Sequence, residues 1–237
     1  MLSNNIIFRR NRFTQTGLQL WLDASLPETV TRDASNKVSS WRDKSPYGRN
    51  SVQATSAAQP TFQSTGISGL PAINFDGVDD FLAFSDQTLN YIASSSFTII
   101  YVASKPANTN TFVIGGTASG TRNNLVTGYV SSNTYKFGFG IDDQNAIVPV
   151  GVVGTPEIYT LVYSNVDNSR RVRRNSTDVA VGASAGGLTN MTGQVLGRFS
   201  ATFGAFKIGE LLIYNRALTV GEYISVERDL ISKWAIS

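Results

Sequence analysis

The chain holds few residue types that could do chemistry. It has no histidine and no cysteine among its 237 residues. That removes the common general base, the common zinc ligands, and the thiolate and Ser–His nucleophiles. What remains is 17 acidic residues, the lysines and arginines, and nine tyrosines. Carboxylates alone can hydrolyse a glycoside when two stand at the right separation, so the acidic residues come first. Asp23 and Asp43 follow Trp21 and Trp41 at the same offset. We read them as turn and capping residues rather than as an acid and a base. Asp76, Asp79 and Asp80 gather in FDGVDD. Hard cations take such oxygen sets, but Asp beside Gly is also turn chemistry, and that is the reading adopted. Asp142-Asp143 is a weaker metal candidate. Neither a metal nor a cofactor is expected.

The cationic residues are more unusual. Arg170-Arg171-Val172-Arg173-Arg174 places four guanidinium groups in five residues. In a strand, alternate side chains share a face, so Arg171 and Arg173 point one way, and Arg170, Val172 and Arg174 the other. Arginine binds carboxylate and phosphate bidentately. Arg171 and Arg173 are therefore candidates for an anionic partner, against the alternative of a solvated edge hairpin that blocks aggregation. Tyr47, with Arg42 and Arg49 nearby, could stack on a sugar ring; Tyr47 and Arg49 are the glycan candidates, against the alternative of a partly buried loop anchor.

The net charge is +3, from 20 basic and 17 acidic residues. Residues 1–16 contain Arg9, Arg10 and Arg12 and no acid, so the remainder is balanced at 17 of each sign. A neutral globule behind a basic arm suggests docking to an acidic surface, with Ile7 and Phe8 as the apolar part of the contact and Ile6 and Phe13 beside them. The competing reading is a frayed terminus. Nucleic acid is not expected, because residues 17–237 carry no net charge. No stretch approaches the roughly 18–20 apolar residues of a membrane span. The arginines follow Ile6-Ile7-Phe8, which is not the order of a signal peptide.

Two elements of the fold are legible. Short apolar runs are separated by Gly, Asn, Asp, Ser and Pro, and the clearest strands are Phe97 to Ala103 and Ile158 to Tyr163. About a dozen such strands, with no helical run between them, predict a sandwich. Thr219-Val220-Gly221-Glu222 has capping-box spacing, and Tyr223, Val226, Leu230 and Trp234 then share one face. This predicts a helix over 219–234 with Trp234 buried. One domain is expected over residues 17–237.

Three segments carry a family resemblance. They are LQLWLDAS followed by VSSWRDKSPYG, then GLPAINFDGVDDFL, and then Lys207 to Trp234 with IGELLIYNRALT. In this order they resemble laminin-G-like domains of the concanavalin A-like lectin/glucanase superfamily, prokaryotic and viral branch. The resemblance implies an all-β, two-sheet antiparallel jelly-roll sandwich with a C-terminal helix. It also implies binding of sugars or other surface ligands. That branch often carries Asp where this chain has Gly209, and the Glu-x-Asp-x-x-Glu strand of the glucanases is absent.

The function expected is non-enzymatic. It is a structural or adhesive module, most simply a phage virion surface protein for capsid decoration or a fibre, assembled in the host cytoplasm. Its arm would dock to virion proteins, and a glycan or a second copy of the chain are further partners. The alternative is a carbohydrate-binding module with no virion role, and the third reading is a carboxylate glycosidase.

Overall fold

The computed structural model describes residues 13–105, 111–117, 121–131, 133–140, 142–147 and 153–237, the side chains of 121 and 142–147 excepted. Its strands form two antiparallel sheets. The first runs in the order Thr177–Ala183, Ser169–Arg174, Glu157–Ser164, Phe97–Ser104, Ala205–Tyr214, Leu70–Asp76, Thr61–Ile67, with Leu18–Asp23 also paired to Ala205–Tyr214. The second runs Asp142–Ile147, Thr134–Gly140, Thr121–Tyr129, Thr111–Gly115, Val195–Leu196, Leu82–Phe84, Ser51–Val52, Val38–Trp41, Val30–Arg32. A small hairpin pairs Arg198–Phe199 with Thr202–Phe203. The expected β-sandwich is what the chain forms, with one helix at its C-terminal end among the described residues. No helix among them is long and apolar enough to cross a membrane.

The central strands of the first sheet are covered on both faces. Its inner face, with Ile99, Tyr101, Leu161, Leu211 and Ile213, packs on Leu125, Phe137 and Phe139 of the second sheet. Its outer face, with Ile100, Val102, Ile158, Leu212 and Tyr214, packs on the helix through Tyr223, Val226, Leu230 and Trp234. All eight residues of Phe97–Ser104 are buried. This is why that strand reads as unbroken apolar sequence instead of alternating: water touches neither side.

The helix, α1, spans Val220–Trp234. Thr219 caps it: its Oγ1 accepts from Glu222 N at 3.4 Å, and the Glu222 carboxylate accepts from Thr219 N at 2.9 Å. Arg216 then donates two hydrogen bonds of 2.7 Å to the same carboxylate. Val226 and Leu230 are buried on the sheet, each worth roughly 1.5–3 kcal/mol. Trp234 is fully buried, as its spacing predicts.

A buried carboxylate fixes where the helix ends. Glu210, in the middle of Ala205–Tyr214, has no exposure. It accepts from Trp21 Nε1 at 2.8 Å, Trp234 Nε1 at 2.9 Å and Lys233 Nζ at 2.6 Å. Lys233 also reaches Asp23 at 2.7 Å, and Lys44 holds the other Asp23 oxygen at 3.0 Å. Burial and the neighbouring Asp23 charge push the Glu210 pKa up, with Lys233 opposing. Burial also pushes Asp23 up, but Lys233, Ser25 and Lys44 outweigh it, and its pKa falls. Gly209 is required beside this site: a Cβ there would stand 2.5 Å from the Trp234 ring. That explains the missing side chain at a position where the laminin-G-like pattern often has Asp.

Two outcomes follow. Replacing Glu210 by Ala leaves two indole N–H groups without an acceptor and Lys233 with Asp23 as its remaining partner, so stability measured by urea unfolding should fall by about 2–4 kcal/mol. The Glu222 carboxyl is held down to about 2 by Arg216 and Thr219. Its folded pKa lies below its unfolded value, so its contribution is complete above about pH 5 and fades as pH falls toward 2. Glu222→Gln should unfold with a flatter pH dependence between pH 5 and 2 than the parent chain.

Candidate functional site

The candidate partner residues of the arm, Ile7, Phe8, Arg9, Arg10 and Arg12, lie outside the described residues. Phe13 does not: it is buried, edge-on to Trp21 with ring centroids 5.2 Å apart. It belongs to the apolar layer under the helix, so it is not available to a partner as the sequence suggested.

The arginine cluster is engaged inside the chain. Its faces alternate as strand geometry requires. Arg173 is buried and donates to Glu227 of the helix at 2.8 and 3.1 Å, and to Asp178 at 2.7 Å. Arg171 pairs with Asp178, and Arg174 with Glu157. Arg170 donates to the Phe137 carbonyl at 3.1 Å, beneath the Phe139 ring. Nor is the strand an edge: Thr177–Ala183 lies outside it. Arg171 and Arg173 thus tie the hairpin and helix together, a role the sequence could not separate from docking because Glu227 is 54 residues away.

The Asp23 and Asp43 carboxylates are likewise engaged. Asp23 belongs to the Lys233–Glu210 network. Asp43 accepts from Trp21 N, Ser45 N and Arg49 N, each at 2.8 Å, and from Ser45 Oγ at 2.6 Å, which makes it the organiser of the loop after Trp41. Asp76, Asp79 and Asp80 make the expected turn: Asp76 accepts from Val78 N at 2.8 Å, and Asp80 from Asp76 N at 3.0 Å. Burial pushes the Asp80 carboxyl up to about 6. Asp142 and Asp143 open the strand Asp142–Ile147, but their side chains lie outside the described part.

Tyrosines could supply the remaining acid–base chemistry. Tyr101, Tyr129, Tyr135 and Tyr159 meet at one end of the core, with Tyr159 donating to Glu157 at 2.7 Å. The narrow space beside them is lined also by Lys105 and Phe206. Burial raises these phenols, Tyr129 to about 12. They stay protonated at neutral pH and act as hydrogen-bonding core.

The opposite end, where Phe97 pairs with Tyr163, carries an open polar cleft of about 640 Å³. Ser94, Arg122, Tyr163, Asn165, Asn168 and Thr189 line it. Ser94 N donates to Leu188 O at 2.7 Å, and Thr189 N to Arg122 O at 2.6 Å, which ties three loops together. Arg122 sits in the left-handed region at φ 61°. No hydrogen bond or ion pair to its guanidinium is found among the described residues, and its Nε is buried without a partner. Gly186 makes room for it: a Cβ there would stand 2.2 Å from Arg122 Nη1. Asn168 Oδ1 accepts from Tyr163 OH at 3.0 Å and Asn165 Oδ1 from Ser96 Oγ at 2.6 Å, which leaves both Nδ2 groups for a ligand.

Tyr47 and Arg49 are also brought together. Tyr47 is 54% exposed. The Arg49 guanidinium lies 4.2 Å from the Tyr47 ring centroid and 4.4 Å from that of Tyr91, and donates to Gln19 O at 2.9 Å. The segment between Phe84 and Phe97 supplies Tyr91 to this stack and Ser94 to the cleft. Tyr47 is a rigid exposed ring and not a buried anchor. Arg122, Asn165 and Asn168 were not singled out by the sequence; a lone Arg in TRNN and two Asn in turn-rich segments carry no spacing signal.

Solved structures are similar to this framework. Trypanosoma rangeli sialidase is 14% identical with a TM-score of 0.61, over 91% of this chain and 33% of that one. The CBM40 of Ruminococcus gnavus IT-sialidase, bound to α2,3 sialyllactose, is 13% identical with a TM-score of 0.54, over 66% of this chain and 95% of that one. The binding domain of botulinum neurotoxin DC in complex with SialylT is 12% identical with a TM-score of 0.60, over 91% and 52%. The fold these structures share with the chain is an antiparallel β-sandwich. The chain spans about a third of the length of the sialidase chains it matches. No family model matches it, and no curated protein does.

The cleft holds Arg122 in a conformation that costs a non-glycine residue about 1–2 kcal/mol, while glycine loses about 0.5–1 kcal/mol in chain entropy. Arg122→Gly should therefore leave stability unchanged or raise it by up to about 1 kcal/mol. A melting-temperature comparison checks this, and a clear loss would show that the guanidinium serves the fold.

Proposed function

We propose that this chain is a non-catalytic, concanavalin A-like binding module whose cleft at Arg122 takes a sugar bearing a carboxylate. The observation that carries the reading is the guanidinium of Arg122, which has no carboxylate partner among the described residues and stands in a cleft lined by amide and hydroxyl groups. Arginine matches a carboxylate bidentately, and the two asparagines and Ser94 suit sugar hydroxyls. Tyr47 supplies an apolar ring at the same end, on which a second sugar could stack. The ligand of the CBM40 neighbour, α2,3 sialyllactose, is an acidic sugar and supports the choice. The non-catalytic part rests on chemistry: there is no histidine or cysteine, and the Asp23, Asp43, Glu157 and Glu210 carboxylates are committed to internal partners. A virion surface as the place where the module works, reached through the basic arm, stands as the proposal the sequence made. It is tested by deleting residues 1–12 and scoring incorporation into particles.

The binding reading is tested by calorimetry with sialyllactose and lactose. Sialyllactose should bind and lactose should bind far more weakly. Arg122→Ala should lose roughly 10- to 100-fold in affinity, the equivalent of one charge-assisted hydrogen-bonded contact. Equal affinity for the two sugars, or an unchanged affinity in Arg122→Ala, would contradict it, and release of free sialic acid during the titration would contradict the non-catalytic part.

A further inference from the structure

The side chains of Asp23, Glu210 and Lys233 meet where the last turn of α1 lies over the first sheet. Lys233 Nζ stands 2.7 Å from Asp23 Oδ1 and 2.6 Å from Glu210 Oε2. One amine thus touches two carboxylates, and their surroundings differ. Asp23 Oδ1 also accepts from Ser25 Oγ at 2.6 Å, and Asp23 Oδ2 from Lys44 Nζ at 3.0 Å. Glu210 Oε1 accepts from Trp21 Nε1 at 2.8 Å. Little water reaches the group: the side chains of Glu210, Asp23 and Lys233 are 0%, 4% and 12% exposed. The Trp234 ring centroid lies 4.9 Å from Lys233 Nζ and closes one side.

Holding these charges out of water is unfavourable, and joining two of them removes both. We propose that the Lys233 amine and the Asp23 carboxyl condense to an isopeptide bond, with Glu210 as the proton carrier. Glu210 takes a proton from the Lys233 ammonium. The freed lone pair on Nζ attacks Asp23 Cγ, and the C–N bond forms. One Asp23 oxygen then leaves as water with two of the three ammonium protons, relayed through Glu210. The third proton stays on the amide nitrogen, and Glu210 ends as the carboxylate it began as. No co-reactant is consumed. Burial and the Asp23 charge raise the Glu210 pKa, which makes it a stronger proton acceptor than an exposed glutamate. An ionised carboxyl is a slow electrophile; Lys44 and Ser25 counter this by offsetting the negative charge that builds on the Asp23 oxygens during attack.

Dilute amines and carboxylates do not condense in water. Here the two are fixed in contact, and an effective molarity of ~10⁵–10⁸ M, with water excluded, reverses that balance. The new amide N–H would donate to Glu210 in place of the ammonium, so the two indoles keep their acceptor. Positions 210 residues apart would be joined. The helix could then not be pulled from the sheet while the bond lasts. The bond is independent of the Arg122 cleft.

The test is mass spectrometry of the full chain, kept folded at neutral pH for days and then denatured. The parent should weigh one water molecule less than its sequence. Trypsin should fail to cut after Lys233, and peptide 13–32 should appear joined to peptide 229–237. Lys233→Arg keeps the positive charge without the amine and should have full mass. Glu210→Gln keeps the side chain's shape but carries no proton, so it should lose water roughly 100-fold more slowly or not at all. Circular dichroism shows that each variant folds, and the parent and Lys233→Arg decide the bond whether or not Glu210→Gln does. A parent of full mass would overturn the bond. So would water loss with Asp23 and Lys233 on separate peptides, which is what a succinimide at Asp23 would give. Water loss from Glu210→Gln at the parent's rate would overturn the role of Glu210.

Discussion

A buried carboxylate in a sheet needs its hydrogen-bond donors, and Glu210 obtains them from two distant segments. Trp21 comes from the first strand, and Lys233 and Trp234 come from the last turn of the helix. An ionised group with no exposure has no route to water, so losing any donor would cost several kcal/mol. The three elements are therefore locked in one arrangement. The helix must end above Gly209, where the backbone offers space for an indole and nothing larger than hydrogen can replace the missing side chain. Once the helix is seated, the central strand Phe97–Ser104 of the first sheet has no wet face.

That enclosure decides what the other charged groups can do. Arg173 reaches Glu227 because the helix lies over its strand, and the remaining arginines of the cluster find a carbonyl or a carboxylate within the chain. A run that looks like an anion-binding surface in the sequence becomes internal bracing. Groups free to meet a ligand are displaced to the loop ends, where no helix or second sheet covers them. Arg122 is such a group.

The fold was largely legible in the sequence, and the site largely was not, for separable physical reasons. Thr219 and Glu222 interact three residues apart, so the cap is written locally, and Trp234 follows from helical period. The strand Phe97–Ser104 announces itself because both its faces are dry. Long-range pairing leaves no such mark. Nothing near Arg173 indicates Glu227, and nothing near Gly209 indicates Trp234, although the absent side chain was itself a visible departure. Tyr47 could be nominated from its neighbours, but its exposure depends on Arg49 being held by Gln19 and Tyr91. Phe13 was assigned to the arm by its charge environment; its contact with Trp21 belongs to tertiary structure. Arg122 was invisible, because its significance lies in a backbone conformation and in a guanidinium with no partner among the described residues.

Strain supplies an independent argument about that cleft. Ser94, Arg122 and Asn168 all line it, and all three hold left-handed backbone, at φ 55°, 61° and 51°. Asparagine adopts that region with little penalty, but serine and arginine do so at a cost. Some such positions fall in tight turns, as with Asn36 and the Asn175-Ser176 pair at a hairpin, and Ala235 ends the helix. Arg122 instead stands within the strand Thr121–Tyr129, where the register to its neighbour breaks between Thr121 and Leu125. Strain of this kind persists only where the surroundings over-determine it, and it concentrates at sites that must be pre-arranged for a ligand. Here the surroundings are specific: Thr189 N on the Arg122 carbonyl, and Gly186 clearing the guanidinium. A guanidinium already aimed and already stripped of part of its water loses little freedom when an anion arrives, which is the condition under which one charged contact contributes most to affinity.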